Sequence, residues 1–170
     1  MKTRYVDLIE QTFDFPKDEF KLDGENLLWN DLPLVELIQK HGTPLRISYL
    51  PKIGEKIELA RKCFAKAFET HGYSGSYEYF YCTKSNHFHY VIDKVLDKGV
   101  NLETSSAYDL EMIELLIERG RITKDSTILC NGFKDERYIK GIGRLANRGF
   151  KVVPIIDLSL IHISEPTRPY

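Results

Sequence analysis

A repeat of short apolar segments and longer amphipathic segments fills the second half of the chain and constrains its fold more than any other feature. The apolar segments start near residues 77, 100, 126 and 151, a spacing of about 25 residues, which accommodates one strand and one crossover helix. They lack the alternation of a half-exposed strand, as expected for parallel strands that are buried on both faces. The pattern therefore predicts an α/β fold with a parallel array of strand–helix units.

Glycines and a capping pattern set the limits of these units. Gly99, Gly120 and Gly149 each follow a helical segment, where a left-handed residue commonly ends a helix. Ser106 and Asp109 have the spacing of a capping box, with Asp in place of Glu. We predict strands at 77–82, 100–103, 127–130 and 152–156, and helices at 88–98, 107–119 and 135–148.

The first part of the chain is less regular. Residues 15–29 suggest loops and short strand pieces. A short helix is predicted over residues 31–42, with Asp31 as its N-cap, and it is followed by a strand at 43–50 and a helix at 53–72. We divide the chain into a lead segment at 1–74, a partial barrel at 75–157 and a tail at 158–170.

Four strand–helix units leave two architectures open. A closed (β/α)8 barrel needs about 250 residues, so 170 residues cannot complete one. An open, doubly wound sheet can be complete with four or five strands. The repeat alone does not choose between these architectures.

Composition narrows the classes of partner. The formal net charge is −1 and charges of both signs are mixed along the chain, so nucleic acid is not the expected partner. No long apolar run is present and the first residues are too polar for a signal peptide, so we expect a soluble, cytoplasmic chain without a membrane partner. Cys63, Cys82 and Cys130 lack metal-ligand spacing and are expected to be reduced core thiols.

The tail at 158–170 has neither a helical nor a strand period. Its sequence, LSLIHISEPTRPY, resembles the translation of a sequencing-library adaptor. We therefore expect that this segment is not native, that the gene was cut at a fragment end, and that the tail does not belong to the fold.

Lys84 follows an aromatic strand at the edge where parallel α/β proteins place their active sites. A partly desolvated lysine there can act as a nucleophile toward an aldehyde, as a Schiff base requires. The alternative is a lysine that simply extends into solvent. Glu103 ends the next strand, where it is either a partner of Lys84 or a solvated charge, and Asn131-Gly132 suits a turn between strand and helix.

The segment from Tyr81 to Leu116 resembles the pyridoxal-phosphate-binding segment of the alanine-racemase-like decarboxylases. Tyr81, Lys84 and Asn86 match a Tyr-x-x-Lys-x-Asn pattern at a strand end. An acidic residue, then Ser and another acidic residue follow, at Glu103, Ser106 and Asp109. The stretches HGTPLRISYL and CNGFKDERYI are similar to the family as well, the second more narrowly to its arginine decarboxylases.

This resemblance implies the N-terminal half of a (β/α)8 barrel, with about four parallel units, behind a helical and irregular lead segment that carries a strand of a second, β-rich domain. It implies pyridoxal 5'-phosphate as cofactor, with Lys84 as the covalent anchor and catalytic residue, Tyr81 and Glu103 as further cofactor-binding residues, and no metal. The cofactor would accept the electrons left by departing CO2. Glu103 departs from the aspartate of some relatives by one methylene.

The resemblance also implies the function: decarboxylation of a basic amino acid, arginine to agmatine and CO2 in polyamine biosynthesis, by a homodimer with shared active sites. Diaminopimelate, ornithine or carboxynorspermidine decarboxylation remains the alternative within the family. A non-catalytic α/β binding module is the alternative of another class. Because the family's remaining site residues have no counterpart in the tail, the 170-residue chain itself is expected to be inactive.

Overall fold

The computed structural model describes residues 17–156, which form two compact units that divide between Tyr49 and Leu50. The tail predicted at 158–170 and the first 16 residues lie outside the described residues. The helix Pro51–His71 falls in the predicted lead segment but belongs to the second unit. The domain limit at 74 and 75 stays a prediction.

The first unit is a small antiparallel sheet with one helix. Strands β1 (Phe20–Asp23) and β2 (Asn26–Trp29) form a hairpin that turns at Gly24, whose φ of 61° suits glycine. Strand β3 (Leu32–Pro33) pairs with β2, and helix α1 (Leu34–His41) follows. The short strand pieces predicted at 15–29 are thus present in the described part of that range.

Two predictions in this region are wrong. Asp31 is not the N-cap of α1, because it lies two residues too early and has a left-handed φ of 64°; Pro33 occupies the cap position. No strand forms over 43–50, because within the described chain these residues have no neighbouring strand to pair with. Pro51 instead opens the next helix, where its missing N–H has no cost.

The second unit contains the predicted array. Its strands are all parallel and lie in sequence order: β4 (Phe80–Cys82), β5 (Asn101–Thr104), β6 (Thr127–Cys130) and β7 (Lys151–Pro154). Its helices are α2 (Pro51–His71), α3 (His89–Leu96), α4 (Ala107–Glu118) and α5 (Glu136–Asn147). Every predicted strand and helix from residue 75 onward is present, with ends shifted by a few residues.

One face of this sheet carries the core. Leu102, Thr104, Ile128 and Cys130 are buried, whereas the residues that alternate with them in β5 and β6 are half-buried. The buried set packs in one cluster with apolar side chains from all four helices. We call the opposite side of the sheet the open face. A doubly wound sheet would carry helices on both faces, so one-sided packing and sequential strand order identify a partial barrel.

Helix ends hold the loops that follow the strands. The hydroxyl of Ser106 accepts the Asp109 N–H at 3.4 Å, and the Asp109 carboxylate accepts the Ser105 N–H at 2.7 Å. The capping pair predicted from the sequence is confirmed, although the carboxylate reaches one residue further back than in a standard box. Asp135 caps α5 in the same way, accepting the Tyr138 N–H at 2.7 Å.

The three cysteines are all free thiols, but they differ in burial. Cys130 is buried in the core and Cys82 is half-buried. Cys63 is exposed on α2, so its predicted place in the core is wrong: the helix is long and presents one side to solvent. Across residues 17–156, no helix is long and apolar enough to cross a membrane.

The open face and the outer edge of β7 predict self-association of the 170-residue polypeptide. Val153 and Ile156 are 45% and 65% exposed, and β7 has no second strand partner within residues 17–156. Exposed apolar edges pair with other chains. We expect poor solubility and no cooperative, reversible melt by circular dichroism. Val153→Lys should raise the monomer fraction in sedimentation velocity.

The matched control is Ile139→Lys, which places the same charge at an exposed apolar residue of α5, away from the strand edge. Equal effects of both variants would mean that added charge alone, rather than the edge, governs association. A reversible two-state melt of monomeric wild-type chain would contradict the prediction outright.

Candidate functional site

Lys84 lies at the carboxyl edge of the sheet, two residues beyond β4, in the 3-10 turn Thr83–Ser85. Thr83 is fully buried and its hydroxyl donates to the backbone carbonyl of Glu103 at 3.0 Å, which ties the turn to β5. Lys84 itself is exposed, and within residues 17–156 its amine has no hydrogen-bond or ion-pair partner. The turn therefore holds the backbone while the amine stays accessible.

Glu103 comes from the neighbouring strand and lies at the same edge. The register pairs Glu103 with Cys82 on one side and Leu129 on the other. Its burial alternates with that of Leu102 and Thr104, which face the helices, so its side chain is on the open face. Glu103 Oε1 accepts a hydrogen bond from Asn131 Nδ2 at 3.1 Å. The predicted neighbourhood of Lys84 and Glu103 is thus present at the backbone level.

Tyr81 has a different place from the other two candidates. It pairs with the buried Leu102 and packs against the core, on the helix side of β4. Its hydroxyl donates to the backbone carbonyl of Asn86 at 2.9 Å. Burial, followed by the nearby Cys82 and Tyr79, raises the pKa of Tyr81. In this geometry Tyr81 braces the turn around Lys84; its contact with a cofactor stays a prediction.

Asn131 connects the loop after β6 to the loop after β5. Its backbone N–H donates to the Thr104 carbonyl at 2.8 Å, and its side-chain Oδ1 accepts the Gly132 N–H at 2.8 Å. The sequence indicated only a turn here, so the contact of Asn131 with Glu103 was missed. The stretch Cys130-Asn131-Gly132 offers no local signal for it, because the contact joins residues 28 positions apart.

A buried polar cluster supports this edge from the helix side. The hydroxyls of Thr104 and Tyr138 lie 2.8 Å apart, and both residues are fully buried. The Tyr138 hydroxyl also donates to the Asn131 carbonyl at 3.2 Å, and the Thr104 hydroxyl lies 3.5 Å from Cys130 Sγ. Burial raises the pKa of both Tyr138 and Cys130, so both stay protonated at neutral pH.

Ser105 leaves one polar atom without a partner at this edge. Its Oγ is buried, and among the described residues it has no hydrogen-bond partner. A buried hydroxyl without a partner costs free energy. The edge thus offers an accessible amine at Lys84 and a hydrogen-bond-accepting carboxylate at Glu103, groups that fit an aldehyde carrying polar substituents.

Two grooves of the described chain lie away from this edge. One groove runs between α4 and α5 and is lined by charged residues such as Glu111 and Arg137, which form an ion pair with each other. Another lies along α2 and includes Lys98. Neither groove includes Lys84 or Glu103.

Comparison with known proteins identifies relatives of one kind. Over 113 residues the chain is 33% identical to the biosynthetic arginine decarboxylase of Gloeobacter violaceus, a match that covers 63% of this chain and 17% of that protein. It is 30% identical over 136 residues to that of Proteus mirabilis, covering 78% and 20%, and 29% identical over 154 residues to biosynthetic arginine decarboxylase 2 of Synechocystis, covering 79% and 23%. No family model matches the chain.

A solved structure shares the fold. The biosynthetic arginine decarboxylase SpeA from Campylobacter jejuni superposes with a TM-score of 0.63 at 20% identity, over 98% of this chain and 30% of that one. The chain thus spans about a fifth of the length of the curated relatives above. The predicted half barrel is confirmed by its own topology and by this neighbour.

Gly132 is predicted to be essential for the closeness of the two loops. Its φ is 83°, and a Cβ added there would lie 2.6 Å from the backbone carbonyl oxygen of Ser105. Gly132→Ala should therefore push the loops apart and increase amide hydrogen exchange in peptides covering 103–109 and 129–135, measured by mass spectrometry.

Gly120→Ala is the matched control for this prediction. Gly120 also has a positive φ, 68°, but a Cβ there meets nothing within 4 Å. Gly120→Ala should lower the free energy of unfolding by about 1–2 kcal/mol, the cost of a left-handed backbone at alanine. Its effect on amide exchange should be confined to the end of α4. If Gly132→Ala left exchange in 103–109 unchanged, the close contact would not hold in solution.

Proposed function

We propose, given that this chain is homologous to a segment of the biosynthetic arginine decarboxylases, that it supplies the cofactor-anchoring part of an arginine decarboxylase. The observation that carries the proposal is the accessible amine of Lys84 at the carboxyl edge of a partial barrel, one strand away from the Glu103 carboxylate. The similarity to arginine decarboxylases extends over most of the chain.

The cofactor that fits this edge is pyridoxal phosphate. When bound, it supplies an electron sink for the bond that breaks between the α carbon and the carboxylate of the amino acid. Lys84 would anchor it through Nζ, whose condensation with an aldehyde releases one water. The open amine and the Glu103 carboxylate fit such a group.

Each residue at the edge has a separate task in this proposal. Thr83 holds the backbone of the turn, and Tyr81 braces it from the core side through the Asn86 carbonyl. Lys84 Nζ would hold the group and would also be placed to carry a proton for the α carbon of the substrate. Glu103 would accept a hydrogen bond from the bound group. Both are thus proposed as cofactor-site residues, Glu103 through a direct hydrogen bond and Tyr81 through its support of the turn.

The proposed substrate is L-arginine and the product is agmatine, within polyamine biosynthesis. The names of the relatives support arginine over diaminopimelate, ornithine or carboxynorspermidine, and they support an enzyme over a non-catalytic binding module. The proposal includes a cytoplasmic homodimer with shared active sites.

Borohydride trapping tests the anchor. The chain is incubated with pyridoxal phosphate and reduced, and the modified lysines are mapped by mass spectrometry. Lys84 should carry the largest share of label, because its amine is accessible at the edge where the proposed cofactor site lies. The expected yield is low for the 170-residue chain, so the distribution among lysines is the quantity to compare.

Two variants make this test specific. Lys84→Arg keeps the charge but removes the nucleophilic amine, and should abolish the preferred label. Lys140→Arg changes an exposed lysine that is paired with Glu136, and should leave the label at Lys84 unchanged. Label scattered over surface lysines in proportion to their exposure would refute the anchor.

Release of CO2 tests the reaction. A protein that carries this sequence at the length of its relatives is given L-arginine labelled in the carboxyl carbon. We expect labelled CO2 from L-arginine in excess of that from L-ornithine or diaminopimelate, and loss of release to background in Lys84→Arg. Faster release from L-ornithine or diaminopimelate would reject arginine decarboxylation while leaving the anchor intact.

A further inference from the structure

Glu103 is held by only one of its carboxylate oxygens. Oε1 accepts the Asn131 amide at 3.1 Å, while Oε2 has no hydrogen-bond partner among residues 17–156. The side chain is half-buried on the open face of the sheet. A carboxylate fixed at one oxygen keeps the other available for a ligand in a defined direction.

Asn131 can present only its NH2 group to this carboxylate. Its Oδ1 accepts the Gly132 N–H at 2.8 Å, so a flipped amide would set its NH2 group against a backbone donor. Its backbone is fixed as well, since the N–H donates to Thr104 and the carbonyl accepts from Tyr138. The backbone N–H, the carbonyl, Oδ1 and the NH2 group of Asn131 thus each have a partner, and together these bonds fix the orientation of its side chain.

Tyr138 secures Asn131 from the opposite side of the sheet. It is a fully buried residue of α5, and its hydroxyl bridges the Thr104 hydroxyl and the Asn131 carbonyl. The path from Tyr138 through Asn131 to Glu103 is a continuous series of hydrogen bonds from the core to the open face. Hydrogen bonds to both the backbone and the side chain of Asn131 favour a single geometry of this residue.

We propose that Asn131 is a positioning residue, which orients the Glu103 carboxylate toward a cofactor bound at Lys84, with Tyr138 holding Asn131 in place. This inference rests on the proposed function, because it names the bound group as pyridoxal phosphate. The role is distinct from support of the fold, since it requires a donor at Asn131 rather than its shape. A side chain that contacts a cofactor keeps its orientation only if neighbouring residues hold it by packing or hydrogen bonds.

Asn131→Asp is the decisive variant. Aspartate keeps the shape and the acceptor for the Gly132 N–H, but it removes the donor and sets a second carboxylate against Glu103. The preference of borohydride label for Lys84 should fall about tenfold, the factor expected for a lost hydrogen bond to a charged group. Asn131→Ala should lower it in the same direction.

A double-mutant cycle separates positioning from structural support. Asn131→Ala should lower the preference for Lys84 in the wild-type chain and should have no further effect in Glu103→Ala, because the carboxylate that it orients is then absent. An additive effect in the double variant would show that Asn131 acts independently of Glu103, and would overturn the proposal. So would wild-type labelling in Asn131→Asp.

A second readout needs no cofactor. Removal of the carboxylate in Glu103→Ala should free the Asn131 side chain and speed exchange of the Gly132 amide several-fold, measured by mass spectrometry with residue resolution. If this exchange responds but Lys84 takes no preferred label, the coupling stands and the proposed cofactor fails. If Lys84 is labelled but Glu103→Ala leaves the exchange rate of the Gly132 amide unchanged, the positioning role fails.

Discussion

One-sided burial of a parallel sheet is the constraint on which the rest of the second unit depends. Four parallel strands in sequence order bury Leu102, Ile128 and their neighbours against a layer of helices, and this burial supplies the hydrophobic stabilisation of the unit. Because the four strands are parallel, their carboxyl ends meet at one edge of the sheet. The loops that follow β4, β5 and β6 are therefore neighbours, although they are distant in sequence.

The chemistry of the edge comes from how these loops are tied to each other. Thr83 bonds the Lys84 turn to Glu103, Asn131 bonds the next loop to the Glu103 side chain, and Gly132 lets that loop approach Ser105. On the helix side of the sheet, the Thr104 and Tyr138 hydroxyls lie within hydrogen-bond distance, and the Tyr138 hydroxyl donates to the Asn131 carbonyl. An accessible amine and an oriented carboxylate then stand on a backbone that the core holds in place.

Sequence reasoning was most accurate where local periodicity and capping agree. All strands and helices from residue 75 onward, the cap at Ser106 and the glycines at helix ends are present as predicted. It was wrong over 43–50, where β-branched and aromatic content suggested a strand without a partner, and at Asp31 and Cys63. A propensity describes one segment alone, whereas a strand requires a neighbour and burial requires a packed face.

By itself the sequence determined the repeat of strands and helices, the placement of Lys84 after the first strand of that repeat and of Glu103 at the end of the second, and the resemblance to the decarboxylases. These features are local or depend on fixed spacing. Only the tertiary structure put Tyr81 on the helix side and joined Asn131 to Glu103, and it confirmed the partial barrel, which the strand repeat alone had left open. The physical reason is that these contacts join residues about 20 to 30 positions apart in the sequence. Whether such residues meet depends on the register of the strands and on which face of the sheet is packed.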